Sequence, residues 1–252
     1  VNIKILLGNI VAQGDMTLKQ RNELLASMTD SVAQLVLRQN YLQPQAIELS
    51  AKQGTEQLAL QQKFMQFLEQ QERLDRAIEF LPNDEQIIHR QKSGDSLTNP
   101  ELAVVMAYGK MWVYDNLLAS DVPDDSYFTQ ELRAYFPDTL SEQYFAQMAA
   151  HPLHREIIST YLTNSLVNRL GIETVYQLVE ELDVSIATIV RAYSVVRDVF
   201  NVRQHWQLIE SLDNQIDAQA QLEMELRLRQ DMAQSIEWFI QQFGDDISVT
   251  AL

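Results

Sequence analysis

The sequence contains few of the residues that interrupt regular structure. Its 252 residues include only 7 glycines and 6 prolines, where average usage gives about 17 glycines and about 13 prolines. A chain of this length with so few turn-forming residues is built from long elements joined by short connections. This scarcity favours helices over strands.

Other absences exclude whole classes of function. The chain has no cysteine, which excludes disulfides, thiolate zinc sites and thiol nucleophiles and agrees with a reducing cytoplasm, where we expect the protein to reside. Only 19 basic residues oppose 35 acidic ones, for a net charge of −16, and no run of five positive charges occurs. We therefore expect no nucleic-acid partner and no anionic membrane surface. No apolar run approaches the roughly 18 residues of a membrane span.

The first residues predict a chain that continues from a preceding segment. They lack an initiator methionine and a basic leader, so they do not form a signal peptide. On a helix over residues 1–12, one face would contain Ile3, Leu6, Leu7 and Ile10. Because Val1, Ile5 and Ala12 make the other side apolar as well, we expect this helix to be buried, with an upstream domain as its cover.

Helical periodicity dominates the rest of the sequence. Apolar residues recur at spacings of three, four and seven in 101–118, 153–170, 185–200 and 222–243, as on amphipathic helices with one buried face. The prediction is an all-α, multi-helix bundle of about a dozen helices with little or no strand. We divide it into an N-terminal helical part, 1–96, and a C-terminal helical bundle, 97–252.

Local signals predict several helix ends. Starts are expected at Thr98 or Asn99 and at Asn83 or Asp84, and ends at Leu81, Gly171 and Gly244. Residues 43–76 are rich in glutamine and glutamate, so we expect longer, more exposed helices there that form a protruding hairpin. The charged stretch 222–232 pairs acids and arginines at i,i+4 (Glu223 with Arg227, Glu225 with Arg229) and predicts a solvated face.

Residues 151–158, HPLHREII, contain a possible metal or proton-relay site. Pro152 fits the first position of a helix, which makes His151 its cap and lets the side chains of His151 and His154 meet. Zinc normally needs three or four protein ligands, and only Glu156 is near. We therefore interpret the segment as a helix start with partly exposed histidines.

Other candidate sites fail on spacing. Asp121, Asp124 and Asp125 would need a glycine and a glutamate at Ser126 and Leu132 to form a calcium loop, so we interpret them as helix caps. No two glycines lie closer than six residues, which excludes glycine-rich phosphate loops. Trp112, Trp206 and Trp238 lie at or beside apolar stripes, where packing is the expected role.

Several stretches together resemble the C-terminal region of the large, NAD-specific glutamate dehydrogenases of bacteria. The residues that support the resemblance are VNIKILL (1–7), GDMTLKQRNELLASMTDSVAQLVLRQNYLQ (14–43), LDRAIEFLPNDE (74–85), LTNPELAVVMAYGKMWVYDNLLASDVPDDSY (97–127), AYFPDTL (134–140), HPLHREIISTYLTNSLVNRLGI (151–172) and IESLDNQI (209–216). The resemblance is weaker through 43–73 and after Gly171.

The resemblance implies a portion of an enzyme. The intact enzyme would oxidise L-glutamate with NAD to 2-oxoglutarate and ammonium, with substrate and NAD bound in upstream domains that end near VNIKILL. The glycine fingerprint and the catalytic lysine and aspartate expected of such an enzyme have no matching positions here, so we assign no catalytic, cofactor-binding or metal-binding residue. The chain would be a structural, oligomerisation or regulatory region that packs on the upstream catalytic domain and on further copies in a homo-oligomer.

Two alternatives remain open from the sequence. One is an autonomous all-helical module that binds other proteins through its exposed helices. The other is a small metal-dependent helical enzyme that uses His151, His154 and Glu156. Metal analysis of the purified chain distinguishes the second alternative from the others.

Overall fold

The structure, a computed structural model, describes residues 1–244 together with Ile247 and Val249. Over these residues it contains fourteen α-helices and no strand, which confirms the all-α prediction. The first seven are α1 (Asn2–Gln13), α2 (Leu18–Ser27), α3 (Thr29–Gln53), α4 (Leu58–Gln70), α5 (Asp84–Ser93), α6 (Asn99–Ala119) and α7 (Glu131–Tyr135). The others are α8 (Asp138–Gln143), α9 (Phe145–Ala149), α10 (His154–Leu170), α11 (Ile172–Leu182), α12 (Ile186–Val199), α13 (Val202–Glu210) and α14 (Ala218–Phe243). Short 3₁₀ helices lie at Gly54–Glu56, Val122–Asp124 and Ser126–Gln130.

Helices α10 and α12 form the centre of the fold. Helix α10 contacts α3, α6, α7, α11, α12 and α14, and α12 packs on α6, α13 and α14. Both helices are buried on most sides, since even their small polar residues, such as Ser159 and Ser194, have no exposed surface. Helices with so little polar surface need neighbours all round them, and the remaining helices supply that cover.

Several predicted helix ends are confirmed. Thr98, rather than Asn99, caps α6 in a capping box with Glu101, and Asn83 caps α5 in the same way with Gln86. Gly171 and Gly244 follow the last residues of α10 and α14 with positive φ angles. These signals depend only on neighbouring residues, so the sequence alone is enough to predict them.

The helix expected to end at Leu81 ends at Gln70 instead, and residues 71–81 form turns. Glu72 and Phe80 both take φ 55°, which a helix does not allow. The side chain of Asp75 accepts hydrogen bonds from the backbone N–H groups of Ala77 (2.9 Å) and Ile78 (3.2 Å). A carboxylate that bonds to nearby N–H groups competes with the helix and favours a turn.

The prediction of a protruding hairpin in residues 43–76 is wrong. Helix α4 packs on α11, and the ring of its buried Phe64 lies 5.6 Å from that of Trp112 and 5.0 Å from that of Tyr176, centroid to centroid. Gly109 of α6 leaves room for this packing, since a Cβ atom there would lie 2.2 Å from Cγ1 of Ile172 and 3.2 Å from Cε1 of Phe64. Burying an aromatic side chain contributes about 2 kcal/mol to the free energy of folding. Phe64 therefore keeps α4 packed against the core, although the segment is rich in glutamine and glutamate.

Helix α1 is covered by this chain itself. Leu6, Leu7 and Ile10 are buried, and α1 contacts α2 and α9. In this chain its own helices cover these three residues, and cover of α1 by an upstream domain stays a prediction. The predicted parts 1–96 and 97–252 share one apolar core, and the division between them stays a prediction. Among the described residues, no helix is both long enough and apolar enough to cross a lipid bilayer.

Candidate functional site

His151 is a structural residue that joins α1 to the start of α10. Helix α10 begins at His154, so His151 precedes the helix and is not its cap. Its side chain is buried; Nδ1 accepts a hydrogen bond from the Leu153 N–H (3.0 Å), and Nε2 lies 3.2 Å from the carbonyl oxygen of Asn2. Since Nδ1 accepts, Nε2 has the proton and donates to Asn2. Neither nitrogen is left for a metal ion, and the prediction of an exposed side chain is wrong here.

His154 is partly exposed, as predicted, and its Nε2 atom lies 4.0 Å from Oδ1 of Asp124. Of the predicted acidic caps, only Asp125 acts as one, accepting a hydrogen bond from the Tyr127 N–H (2.9 Å). Asp121 and Asp124 form ion pairs instead, with Arg191 (2.8 Å) and Arg155. Across residues 1–244, Ile247 and Val249, no group of three His, Cys, Asp or Glu side chains is arranged to hold a metal ion.

The solvated face predicted for 222–232 is wrong at two positions. Glu225 and Arg229 are 4% and 3% exposed because this face of α14 packs on α11 and α12. Arg229 donates from Nε to the carbonyl oxygen of Arg169 (3.2 Å). Burial lowers the pKa of Arg229 to about 10, although the charges of Glu173 and Glu225 oppose the shift, and burial raises the pKa of Glu225. Glu223 and Arg227 remain exposed, as predicted.

A second buried charge group connects α7, α12 and α13. Glu131 and Arg197 are each 1% exposed, and Nη2 of Arg197 donates to Oε1 of Glu131 at 2.8 Å. Arg197 also donates from Nε to Asp198 (2.8 Å), and Arg203 reaches Glu131 at 3.3 Å. Burial alone would lower the pKa of Arg197, but the hydrogen bond to Asp198 and the charge of Glu131 outweigh it and raise that pKa.

A cavity of about 640 Å³ lies beside these charges. We call it the arginine cleft, because its walls include Arg38 of α3, Arg169 of α10, Arg197 of α12 and Arg203 of α13. Arg38 and Arg169 share one carboxylate partner, Glu210, at 2.8 and 2.7 Å. The guanidinium of Arg169 also lies 4.4 Å from the centroid of the Trp206 ring. Sequence reasoning did not single out any of these arginines.

A second cleft, of about 510 Å³, contains a lysine with a shifted pKa. Lys110 donates from Nζ to Oδ1 of Asn164 (2.9 Å), and burial lowers its pKa from 10.5 to about 8. Thr160 and Asn164 line both this cleft and the arginine cleft. The two cavities are therefore neighbours on the surface of α10.

Replacing Lys110 by methionine should stabilise the chain at neutral pH. The folded state binds fewer protons than the unfolded state between about pH 8 and about pH 10.5, so wild-type stability gains a contribution as pH rises through that window. Below it, charged Lys110 costs stability, and Lys110→Met should raise the free energy of unfolding by about 2 kcal/mol near pH 7.

Urea unfolding of wild type and Lys110→Met across this pH range measures the effect, and the difference should shrink as pH rises. The exposed Lys19 provides a control, since Lys19→Met should shift neither the stability nor its pH dependence by more than a few tenths of a kcal/mol. A constant difference at every pH would contradict the assignment.

Comparison with known proteins identifies the family of this chain. A family model described as "Glutamate dehydrogenase, C-terminal" matches residues 94–252, more than half of the chain. The chain belongs to this family. A second model, described as the catalytic domain of bacterial NAD-glutamate dehydrogenase, matches residues 1–50. That match extends well past the first seven residues, where the resemblance in the sequence placed the end of the catalytic part.

Full-length relatives agree with the family match. The NAD-specific glutamate dehydrogenase of Pseudomonas aeruginosa is 44% identical over 247 residues, which are 98% of this chain and 15% of the relative. The enzyme of Halomonas elongata is 40% identical over 242 residues, 96% of this chain and 15% of the relative. That of Mycobacterium tuberculosis is 34% identical over 227 residues, 90% of this chain and 14% of the relative. The chain thus spans about one seventh of the length of these glutamate dehydrogenases.

Proposed function

We propose that this chain is the helical C-terminal portion of an enzyme that oxidises L-glutamate with NAD to 2-oxoglutarate and ammonium. In this proposal the chain contributes no catalytic residue, although residues 1–50 match the catalytic-domain model. The observation that supports this most is the identity of 44% over 98% of the chain to a relative named as an NAD-specific glutamate dehydrogenase. The family model over residues 94–252 supports it further. In this proposal the chain has a structural, oligomerisation or regulatory role.

NAD and glutamate would bind outside this chain. A dinucleotide is usually held by a glycine-rich turn between a strand and a helix. The seven glycines of this sequence are too widely spaced for such a turn. Hydride transfer depends on how NAD and the substrate are placed against each other, so the residues that place them would belong to the rest of the enzyme.

The partners in this proposal are the catalytic part of the same polypeptide and further copies in a cytoplasmic homo-oligomer. Exposed apolar side chains on two edges of the fold support such contacts. Ile78 and Phe80 are 69% and 90% exposed in the turn segment 71–81, and Trp238 and Phe243 are each more than half exposed near the end of α14. Clustered exposed apolar side chains commonly mark contact surfaces.

An assay of NADH formation tests the proposal. The full-length protein should reduce NAD when glutamate is added, and the 252-residue chain should not do so and should bind no NAD at micromolar concentrations. Both preparations should show helical circular dichroism, so that a negative result reflects chemistry and not unfolding. Turnover by the isolated chain, or a folded full-length protein without glutamate-dependent activity, would contradict the proposal.

A further inference from the structure

The arginine cleft concentrates positive groups in an acidic chain. Its walls contain four arginines and, among the described residues, no aspartate or glutamate, although acids outnumber basic residues 35 to 19 overall. The carboxylates that pair with the arginines, such as Glu210 and Glu131, are not part of the cleft wall. The cleft wall therefore contains four arginines, two of them almost fully buried, while their carboxylate partners lie outside the lining.

The same carboxylates fix the guanidinium groups in place. Glu210 holds Arg38 and Arg169, and Glu131 holds Arg197 and Arg203. With Glu225 and Asp198 also nearby, the arginines and acids of the region balance in formal charge. The cleft is thus a preorganised layer of donors and not a region of large net charge. Such an arrangement favours a specific ligand over general attraction of anions.

Three residues of the cleft wall contain buried polar atoms without a hydrogen-bond partner. Arg197 is 1% exposed and uses Nε and Nη2 on Asp198 and Glu131, but its Nη1 atom has no hydrogen-bond partner. Asn168 is 4% exposed with an unpartnered Oδ1 atom, and the Oε1 atom of Gln39 is unpartnered as well. Buried polar groups in folded proteins nearly always have a partner. Rotation of either amide would place an NH₂ donor where the oxygen now lies.

We propose that the arginine cleft binds a small organic anion that contains two or more carboxylate or phosphate groups. Arginine forks match the paired oxygens of both groups, and the two arginine pairs provide two places for them. A volume of about 640 Å³ lies within the usual range for small-molecule sites. The side chains of Leu35, Val36 and Trp206 supply apolar contacts for the carbon skeleton.

Calorimetric titration of the 252-residue chain tests this site. The chain can be used alone because its own helices cover its apolar core. The probes are pyrophosphate for the phosphate class, succinate for the carboxylate class and succinamide as an uncharged control. We expect saturable binding of at least one anion and none of the diamide. The anion that binds more tightly identifies the class. Anion binding requires no catalytic activity, so this titration and the NADH assay can fail independently.

Two variants assign the binding to the cleft. The side chains of Arg38 and Arg203 are each 41% exposed, so Arg38→Gln and Arg203→Gln should keep the fold, as a helical spectrum would verify. Each should weaken anion binding about tenfold, the effect of losing one charged hydrogen-bond donor. Arg227→Gln on the exposed face of α14 should leave it unchanged. If neither anion binds, or if all three variants weaken binding equally, the proposal is wrong.

Discussion

Replacing Glu131 by glutamine should lower the free energy of unfolding by about 3 kcal/mol, the lower end of the range for breaking a buried ion pair. The substitution keeps the size of the side chain but removes the charge that faces Arg197 at 2.8 Å. Arg197 is 1% exposed, so its guanidinium cannot recover that interaction from water. Arg203, which also donates to Glu131, would then add repulsion between the two arginines. Urea unfolding followed by circular dichroism measures the loss.

Two further variants separate the effect of burial from that of charge removal. Asp231 pairs with Arg227 at 3.1 Å on the surface of α14, with side chains that are 51% and 75% exposed. Asp231→Asn should cost less than about 0.5 kcal/mol. Adding Arg197→Met to Glu131→Gln should recover part of the loss, since an apolar side chain leaves no buried charge. Equal effects of Glu131→Gln and Asp231→Asn would show that burial is unimportant here.

Replacing Gly171 by alanine should destabilise the chain by about 2–4 kcal/mol. Gly171 alone joins α10 to α11, and it takes φ 80° and ψ 143°, close to a region that only glycine normally occupies. An added Cβ atom would also lie 2.8 Å from Nη1 of Arg229 and 3.3 Å from a carboxylate oxygen of Glu173. Backbone strain and crowding of a buried arginine therefore act together.

Gly14 provides the matched control for this substitution. It has φ 87° and ψ 2° at the end of α1, and no atom lies within 4 Å of where its Cβ would be. Gly14→Ala should cost about 1 kcal/mol, from the left-handed backbone alone. The two substitutions are compared by the midpoints of urea unfolding. If Gly171→Ala costs no more than Gly14→Ala, Arg229 moves freely and the crowding argument fails.

The sequence was sufficient for features that depend on nearby residues. The capping boxes of Thr98 and Asn83 follow from residues three positions apart, and the apolar spacing predicts the central helices. The sequence was insufficient where contact with a distant segment decides whether a side chain is buried. Glu225 and Arg229 form an ordinary i,i+4 pair in the sequence, and only the packing of α14 on α11 and α12 buries them. His151 is buried for the same reason, since its partner Asn2 lies 149 positions away.

Only part of the arginine cleft could be predicted from the sequence. Arg197 lies four positions after the buried Tyr193 and seven after Val190, a spacing that places its side chain on the apolar face of α12. That spacing could have indicated a buried arginine. The cleft itself could not be predicted, because its walls come from α3, α10, α12 and α13 and depend on how these helices cross.

The hydrogen bond between His151 and Asn2 has a consequence for the order of folding during synthesis. Ribosomes add about 5–20 residues per second, so the 149 positions between the two residues correspond to on the order of ten seconds. Through that interval α1 has emerged, but α9 and His151 have not. Helix α1 can therefore pack on α2 early but must wait for its contacts with α9, since contacts between distant segments form only after the intervening chain exists. Helix α1 is made first among these helices and reaches its native position late.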